Sequence, residues 1–301
     1  MNANSTVSFL AGDLQAIFWP GSGMLCASLC HRGAELLRRI DDLEAAKAKG
    51  STAGIPLLYP WANRLDSLRY RAAGRDVVLD PSSPLLHFDE HGLSMHGVRW
   101  GQLAWDLLEV KADSILARLD WERPDLLAIF PYPHKLHMAA TLEPDSLTLQ
   151  TTVIASAGSR VPVSFGFHPY VGIPQLPRQE WRIELPVMRR LLLDARGIPT
   201  GGHEPFGPID SVLGETNFDD GFAVMDEQPA FSLSGAGRRI AVTFLEGFAY
   251  AQVFAPKNKD YIALEPMTAP TSALTSGQGL HVVERGAEFR TSFRVSVHSV
   301  G

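Results

Sequence analysis

Two short segments of the sequence place a potential proton donor or acceptor directly before a proline. One is Gly166-Phe167-His168-Pro169-Tyr170, and the other is Leu264-Glu265-Pro266-Met267-Thr268. The residue before a proline is restricted towards extended backbone, so His168 and Glu265 should both be held on stiff, extended chain. A positioned imidazole and a positioned carboxylate are together enough to move two protons in one reaction. The two segments therefore indicate acid–base chemistry that needs no cofactor.

The flanking residues predict where these two side chains lie. His168 follows an alternating apolar stretch over residues 161–165, so it should emerge at the end of a strand, and histidine is suited to proton transfer near neutral pH. Glu265 follows the apolar run 261–264, where an acid is unusual unless it is paired or functional. A backbone-bonded buried histidine and a structural salt bridge remain the alternatives.

The segment Pro60-Trp61-Ala62-Asn63-Arg64 places an aromatic ring, an amide and a guanidinium side by side. Aromatic rings pack against the C–H faces of sugars, and planar polar groups bind their hydroxyls, with arginine donating several hydrogen bonds from a fixed fork. This combination suits a sugar ligand. The alternative is an arginine paired with an acid at a rim and a tryptophan packed in the core.

Two histidines, His91 and His96, lie five residues apart in a stretch of small residues. This spacing indicates a loop beside a ligand. Histidine is a common metal ligand, but no acidic third ligand stands at helical or strand spacing, so a metal site is not expected. A structural hydrogen-bonding role for either ring remains open.

The segment Asp219-Asp220-Gly221 carries two adjacent carboxylates. Asp-Gly is above all a turn signal, so this segment is expected to form a turn.

Composition limits the class of protein. The chain has 301 residues, of which 45% are hydrophobic and 20% charged, as in an ordinary globular protein. A formal net charge of −6 gives no electrostatic reason to expect a nucleic-acid or anionic-membrane partner. The sequence shows no glycine-rich phosphate loop, no signal-peptide pattern, and no apolar run near the roughly 20 residues of a membrane helix. A cytoplasmic protein is expected.

The two cysteines, Cys26 and Cys30, are four residues apart in a β-like segment. They are expected to point to one face as two buried thiols rather than to form a disulfide framework or a zinc site.

Strand patterns dominate the chain. Residues 136–142 and 146–154 flank a Glu-Pro-Asp turn and predict a hairpin, and residues 240–244 and 249–254 around Glu246-Gly247 predict a second one. Residues 289–297 alternate apolar and polar side chains with period two. The best helix candidate is short, residues 41–49 closed by Gly50. The expected fold is all-β, a large antiparallel β-sandwich with very few short helices, in a single domain over residues 1–301.

Taken together, five blocks resemble the aldose 1-epimerase (galactose mutarotase-like) family in order and approximate spacing. They are PLLYPWANRL (56–65), MHG (95–97), GFHPY (166–170), FDDGF (218–222) and LEPMTAPTSAL (264–274). The HPY and EPxTxPxxA patterns are the more specific, and the similarity runs from about residue 54 to residue 286. The resemblance implies the galactose mutarotase-like supersandwich fold.

The resemblance also implies a reaction, the interconversion of the α and β anomers of a free aldose. The sugar ring opens and recloses, with Glu265 as the base at the anomeric hydroxyl and His168 as the acid at the ring oxygen, and the roles then reverse. A bell-shaped pH profile follows, with Glu265 setting the acid limb and His168 the alkaline limb.

The same resemblance implies the residues that bind the sugar. His96 would lie near the anomeric end, Asp219 would accept from hydroxyls, Arg64 with Asn63 beside it would bind others, and Trp61 would pack on the ring. No metal or other cofactor is implied. The expected partner is a small-molecule monosaccharide, without nucleic acid or membrane, and the chain is expected to be a monomer or homodimer.

Two departures from the family pattern leave the sugar open. Many galactose-type members carry a glycine and an extra arginine where this chain has Pro60-Trp61-Ala62, and Arg99 follows His96 by three residues. A related branch acts on hexose 6-phosphates with additional arginines, for which the candidates here are Arg64, Arg69, Arg71 and Arg99. The competing hypotheses are such a hexose-6-phosphate 1-epimerase, a non-catalytic sugar-binding module, and a glycoside hydrolase or lyase using Asp219 and Glu265.

Overall fold

The computed structural model describes residues 6–299, apart from the side chain of Ala48, and these residues form mostly β-strands. The strands in chain order are β1 (Val7–Ala11), β2 (Leu14–Trp19), β3 (Leu25–His31), β4 (Ala34–Glu35), β5 (Leu57–Leu58), β6 (Arg69–Ala72), β7 (Arg75–Val78), β8 (Leu86–Phe88), β9 (Ser94–Val98), β10 (Asp106–Val110), β11 (Ser114–Trp121), β12 (His134–Glu143), β13 (Ser146–Ala155), β14 (Val161–Val163), β15 (Gly166–Phe167), β16 (Tyr170–Val171), β17 (Arg182–Leu185), β18 (Met188–Leu193), β19 (Pro199–Phe206), β20 (Ile209–Val212), β21 (Phe218–Val224), β22 (Ala230–Gly235), β23 (Arg238–Glu246), β24 (Tyr250–Ala255), β25 (Ile262–Met267), β26 (His281–Val283) and β27 (Glu288–Ser299). The helices are α1 (Leu43–Lys49), α2 (Pro124–Ile129) and α3 (Ala273–Ser276), with 3₁₀ turns at Trp100–Gln102 and Arg178–Glu180.

Two large antiparallel sheets dominate the architecture. The nine-stranded sheet has the order β10-β11-β12-β13-β27-β23-β22-β17-β20, and the eight-stranded sheet has the order β19-β18-β21-β24-β25-β15-β5, with β16 also paired to β25. The strands β1 to β4 form a smaller sheet, and three two-stranded ribbons complete the pairing. One continuous apolar core contains side chains from both large sheets, so the expectation of an all-β antiparallel sandwich is confirmed.

Alternation along the central strands gives the eight-stranded sheet two different faces. Its inner face packs on the nine-stranded sheet, where the rings of Phe167 and Phe293 have centroids 5.0 Å apart, and Leu264 on this face is fully buried. Because successive side chains of a strand alternate, Glu265 and its register partner Gln252 project from the opposite, outer face. The period of two therefore collects the polar side chains on the outer face of this sheet.

Two local predictions are confirmed. Strands β12 and β13 form the expected hairpin, with Glu143 opposite Ser146 at its turn. The predicted helix begins as α1 after Asp42, whose carboxylate accepts from the Ala45 amide, and ends at Gly50 in left-handed backbone. These segments were predictable because their signals are local: a turn between alternating strands, and caps at both helix ends.

The second predicted hairpin is wrong. Strand β23 pairs with β22 and β27 in the nine-stranded sheet, whereas β24 pairs with β21 and β25 in the eight-stranded sheet. The chain therefore crosses between the two sheets at Glu246-Gly247. A turn signal marks a change of direction, but it does not specify which sheet the next strand joins.

The cysteines also differ from expectation. The pairing of β2 with β3 shifts by one residue, so that Phe18 is opposite Cys26 while Ile17 is opposite Ser28. This bulge reverses the alternation between the two thiols. Cys26 is fully buried and Cys30 is half-buried, and the side chains lie on opposite faces rather than on one.

None of the helices found among residues 6–299 combines the length and the apolar character needed to cross a membrane.

Candidate active site

His168 and Glu265 meet on the outer face of the eight-stranded sheet. Their Nε2 and Oε1 atoms lie 3.2 Å apart, and only 6% and 1% of the respective side chains are exposed. Glu265 is in the interior of β25, while His168 follows β15 and donates its backbone N–H to the carbonyl of Pro56 at 3.1 Å. The structure thus brings together two side chains that are 97 residues apart in sequence.

Aromatic rings fix the orientation of the imidazole. Tyr170 stacks on His168 with ring centroids 4.0 Å apart and an interplanar angle of 20°, and Phe254 meets it edge-on at 6.0 Å. The Tyr170 hydroxyl shares a hydrogen bond with the Thr52 hydroxyl. These two rings shield part of the imidazole from solvent, and lower exposure to solvent strengthens electrostatic interactions.

Burial shifts the pKa values of both groups in directions that favour their neutral forms. It raises the pKa of Glu265 well above the ordinary range, and the Asp219 carboxylate adds to this shift. It lowers the pKa of His168 well below the ordinary range, with smaller contributions from the charges of His96 and Arg38. Burial therefore opposes both uptake of a second proton by the pair and loss of its last proton.

A cavity of about 390 Å³ opens onto this pair. Its volume is within the roughly 300–1,000 Å³ typical of small-molecule sites. The residues that line it are Gly50, Ser51, Thr52, Asn63, Arg64, His87, Glu90, Met95, His96, His168, Tyr170, Asp219, Phe254 and Glu265. Six of the seven residues singled out from the sequence are in this set, since Trp61 is absent from it.

Asn63 and His96 hold each other through reciprocal hydrogen bonds. The backbone N–H of Asn63 donates to His96 Nδ1 at 3.2 Å, and the backbone N–H of His96 donates to the backbone carbonyl of Asn63 at 2.8 Å. Both residues have positive φ angles, 53° and 61°, a strained backbone that recurs at functional sites. Burial lowers the pKa of His96 to about 3. With Nδ1 accepting, the neutral ring carries its hydrogen on Nε2 and is a hydrogen-bond donor.

Gly97 is required by the close packing behind His96. Its φ is 66°, and a Cβ there would overlap the Tyr59 carbonyl and the nitrogen of Pro60. The Met95-His96-Gly97 sequence therefore combines a cavity-lining ring with the glycine that allows the backbone to pass beside Tyr59 and Pro60.

Gly97→Ala should destabilise the fold by roughly 3 kcal/mol or more, because backbone atoms of Tyr59 and Pro60 must move. Gly74→Ala is the matched control: Gly74 also has a positive φ, of 84°, but nothing lies within 4 Å of an added Cβ, so it should cost only about 1 kcal/mol of conformational strain. The free energies of unfolding of both variants, measured in urea, separate the cost of the steric clash from the cost of an alanine at positive φ. Equal losses of stability would show that the clash with Tyr59 adds nothing to the cost of Gly97→Ala.

Arg64 and Asp219 are two of the charged side chains that line the cavity. Arg64 Nε donates to Asp89 Oδ2 at 2.6 Å, so the acid partner considered from the sequence is present, and the guanidinium nevertheless lines the cavity. Gln252 Nε2 donates to Asp219 Oδ1 at 2.8 Å. Burial raises the pKa of Asp219, against the lowering effects of Gln252 and Arg64.

Two sequence-based expectations about local environment need correction. The Trp61 ring is fully buried in the apolar core, so it does not pack on a ligand in the cavity. The Asp219-Asp220-Gly221 segment is not a turn but the interior of β21. The segment pairs with β24, with Asp219 opposite Phe254 and Gly221 opposite Gln252. This strand pairing, rather than the local Asp-Gly turn signal, determines its conformation.

Sequence reasoning missed three residues that shape the site: Tyr170, Gln252 and Asp89. Tyr170 belongs to the GFHPY block, and its proximity to His168 was the available signal. Gln252 and Asp89 carry no local signal, because each acts on a partner distant in sequence, Asp219 and Arg64 respectively.

The four arginines considered for a phosphate fall in different places. Arg64 lines the cavity, and Arg99 lines a narrow annex beside it together with His87 and His96. Arg69 and Arg71 are exposed on the β6–β7 hairpin, where Arg71 pairs with Asp76 at 2.9 Å.

Within the described chain, no three His, Cys, Asp or Glu side chains converge in an arrangement suited to a metal ion.

The family model for aldose 1-epimerase matches residues 25–296, and the chain therefore belongs to the aldose 1-epimerase family. It is similar to the uncharacterized protein YihR of Escherichia coli (strain K12), with 24% identity over 314 residues, 97% of this chain and 93% of that protein. The family resemblance seen in the sequence is thus confirmed.

Solved structures establish the fold. A galactose mutarotase-like protein from Clostridium acetobutylicum matches with a TM-score of 0.83 at 17% identity, over 98% of this chain and 95% of that one. A galactose 1-epimerase from Lactobacillus acidophilus NCFM matches with a TM-score of 0.77 at 13% identity, over 99% of both chains. The expected galactose mutarotase-like supersandwich is confirmed.

Proposed function

We propose that this chain is a mutarotase, an isomerase that interconverts the α and β anomers of a free aldose with Glu265 as base and His168 as acid. The observation that carries the proposal is the 3.2 Å contact between the two side chains. The two oxygens that exchange protons during ring opening, O1 and O5, are both bonded to C1. A base and an acid that serve them must therefore be neighbours, as Glu265 and His168 are.

The reaction balances with these two groups alone. The reacting form of the pair has its single proton on His168 and an ionised Glu265. Glu265 takes the proton from the O1 hydroxyl, the C1–O1 bond becomes a carbonyl, and the C1–O5 bond breaks with its electron pair moving to O5. His168 gives its proton to O5. After rotation about C1–C2, O5 attacks the other face of the carbonyl, His168 recovers the proton from O5, and Glu265 returns one to O1. The pair ends in its starting protonation state.

The remaining polar residues of the cavity fit the hydroxyls of a monosaccharide. Arg64 and His96 are donors, Asp219 is an acceptor when ionised, and Asn63 offers an amide. The side-chain nitrogen Nδ2 of Asn63 donates to Met267 Sδ at 3.2 Å, and this contact limits rotation of the Asn63 carboxamide. Donors and acceptors with different fixed directions discriminate hydroxyl positions better than any one type of group alone.

A non-catalytic sugar-binding module is the less supported hypothesis. Burying a carboxyl and an imidazole against each other opposes ionisation of both, as the directions of their pKa shifts indicate. Such perturbed groups in a cavity are typical of catalytic sites, whereas sugar binding alone requires neither.

A hexose-6-phosphate 1-epimerase remains the second candidate, because Arg99 and His87 line the annex beside the cavity. Polarimetry on freshly dissolved α-D-glucose, α-D-galactose and glucose 6-phosphate tests both functions. Faster equilibration of a free sugar supports the mutarotase, and acceleration confined to the phosphate supports the second candidate. Release of nitrophenol from nitrophenyl glycosides would instead indicate a hydrolase.

The pH profile should be bell-shaped, with limbs that belong to the pair rather than to single residues. Activity requires one proton on the pair. Burial lowers the pKa of His168, so a second proton is taken up only below the ordinary histidine value of about 6.5, which sets the acid limb. Burial raises the pKa of Glu265, so the last proton is lost well above the ordinary glutamate value of about 4.3, which sets the alkaline limb.

Initial rates from pH 4 to pH 10, corrected for the buffer-catalysed reaction, measure this profile. The assignment made from sequence, with Glu265 at the acid limb and His168 at the alkaline limb, stays a prediction, and this coupled description is the alternative that the pKa directions favour. Activity that falls steadily as the pH is lowered from 8 through 7 would contradict it.

A further inference from the structure

Asp89 is an almost completely buried carboxylate next to the proposed sugar cavity. Only 1% of its side chain is exposed. Its Oδ2 accepts from Arg64 Nε at 2.6 Å, and its Oδ1 accepts from the backbone amides of His91 and Leu93, both at 2.9 Å. These interactions lower the pKa of Asp89 despite its burial, so it carries a full negative charge at neutral pH.

This contact restricts how Arg64 is placed. A guanidinium is planar, so fixing Nε against one carboxylate oxygen also fixes the directions of the two terminal nitrogens. A Cβ at position 197 would lie 3.1 Å from one of those nitrogens, and Gly197 leaves that space free. Arg64 is therefore held by Asp89 and given room by Gly197.

Arg64 retains the means to bind a ligand in this position. Its side chain is 16% exposed and lines the cavity, and only Nε is used by Asp89, so the terminal nitrogens keep their donors. Its charge acts on Asp219, whereas the charges that act on Glu265 and His168 are those of Asp219, His96 and Arg38.

We propose that Asp89 is a positioning residue, which orients Arg64 towards the hydroxyls of the bound sugar and so sets sugar affinity rather than the rate of proton transfer. The inference rests on the proposed mutarotase function. It assigns to the buried Asp89–Arg64 pair a role that a purely structural salt bridge would not have, because loss of the pair should change KM while leaving kcat nearly unaltered.

Asp89→Asn is the direct test. The amide keeps an oxygen for the His91 and Leu93 N–H groups but presents an N–H₂ group to Arg64 Nε, donor against donor. Because a hydrogen bond to a charged group is typically worth a factor of about 10–100, KM for D-galactose or D-glucose should rise about tenfold or more, with kcat within about threefold.

Asp76→Asn is the matched control. It removes the carboxylate of another Asp–Arg pair, with Arg71 at 2.9 Å, in which both side chains are about 70% exposed. It should leave KM and kcat unchanged. Arg64→Gln and the double variant Asp89→Asn/Arg64→Gln complete a cycle, in which the double variant should have the same KM as Arg64→Gln alone.

Gly197→Ala provides a second route if Asp89→Asn folds poorly by circular dichroism. The added methyl group crowds the Arg64 guanidinium and should also raise KM with little change in kcat. Unchanged KM in both variants, or effects of Asp89→Asn and Arg64→Gln that simply add, would overturn the positioning role.

Binding of the same two sugars, measured by saturation-transfer NMR, separates failure of this inference from failure of the proposed function. Weaker binding in Asp89→Asn would support the positioning role even if the wild type exchanged no anomers. Equal binding by wild type and Asp89→Asn, with weaker binding by Arg64→Gln, would contradict it.

Discussion

Glu265→Gln should leave the chain folded and lower the catalysed rate of anomer exchange by about 10²–10⁴-fold, the usual contribution of a general base. The amide has nearly the shape of the carboxyl group, so its packing in β25 is retained. It cannot accept the proton from the anomeric hydroxyl. Since burial already raises the pKa of this carboxyl, a neutral side chain in its place should not reduce thermal stability.

Initial rates by polarimetry, together with a thermal melt, check both parts of this prediction. Gln252→Asn is an informative control, because Gln252 is opposite Glu265 in the sheet register and contacts Asp219 instead. It should alter KM more than kcat. A Glu265→Gln variant with a kcat close to that of the wild type would remove Glu265 as the base.

His168→Asn should lower the catalysed rate by a similar factor of about 10²–10⁴, because the acid that protonates O5 is lost. Some stability should also be lost, since the Tyr170 ring, at 4.0 Å, then stacks on a smaller side chain. The combined variant with Glu265→Gln should be little slower than either single variant, because the two groups act as a unit.

Kinetics of the two single variants and the double variant on one sugar measure this coupling. Losses that multiply in the double variant would indicate that the two side chains act independently. The expected pattern is instead that removal of either partner leaves only the contribution of sugar binding.

The two members of the proposed catalytic pair could be singled out from sequence because their signals are local. The proline after each of His168 and Glu265 favours extended backbone at both residues. An acid beside the apolar residues of β25 is rare unless it is paired or functional, so it indicates a site. The sandwich was predictable for a similar reason, since period-two alternation recurs along the chain. The α1 helix was marked by its caps at Asp42 and Gly50.

What could not be predicted depends on which strands become neighbours. Gln252 reaches Asp219 only because β21 and β24 pair, and the same pairing makes a strand of a segment that locally favours a turn. Likewise, Glu246-Gly247 joins two sheets rather than two strands of one hairpin. Trp61 adjoins the cavity-lining residues Asn63 and Arg64 in sequence, yet its ring is buried in the core.

Exchange spectroscopy of the α and β H1 signals of D-galactose and D-glucose at equilibrium is the measurement that tests the central claim most directly. The sugar concentrations do not change, so any exchange cross-peak reports ring opening and closure alone. The account predicts cross-peaks with the wild type that exceed those of buffer and disappear with Glu265→Gln. Sugar binding by the wild type without exchange cross-peaks, for these aldoses, for pentoses and for hexose 6-phosphates, would contradict it.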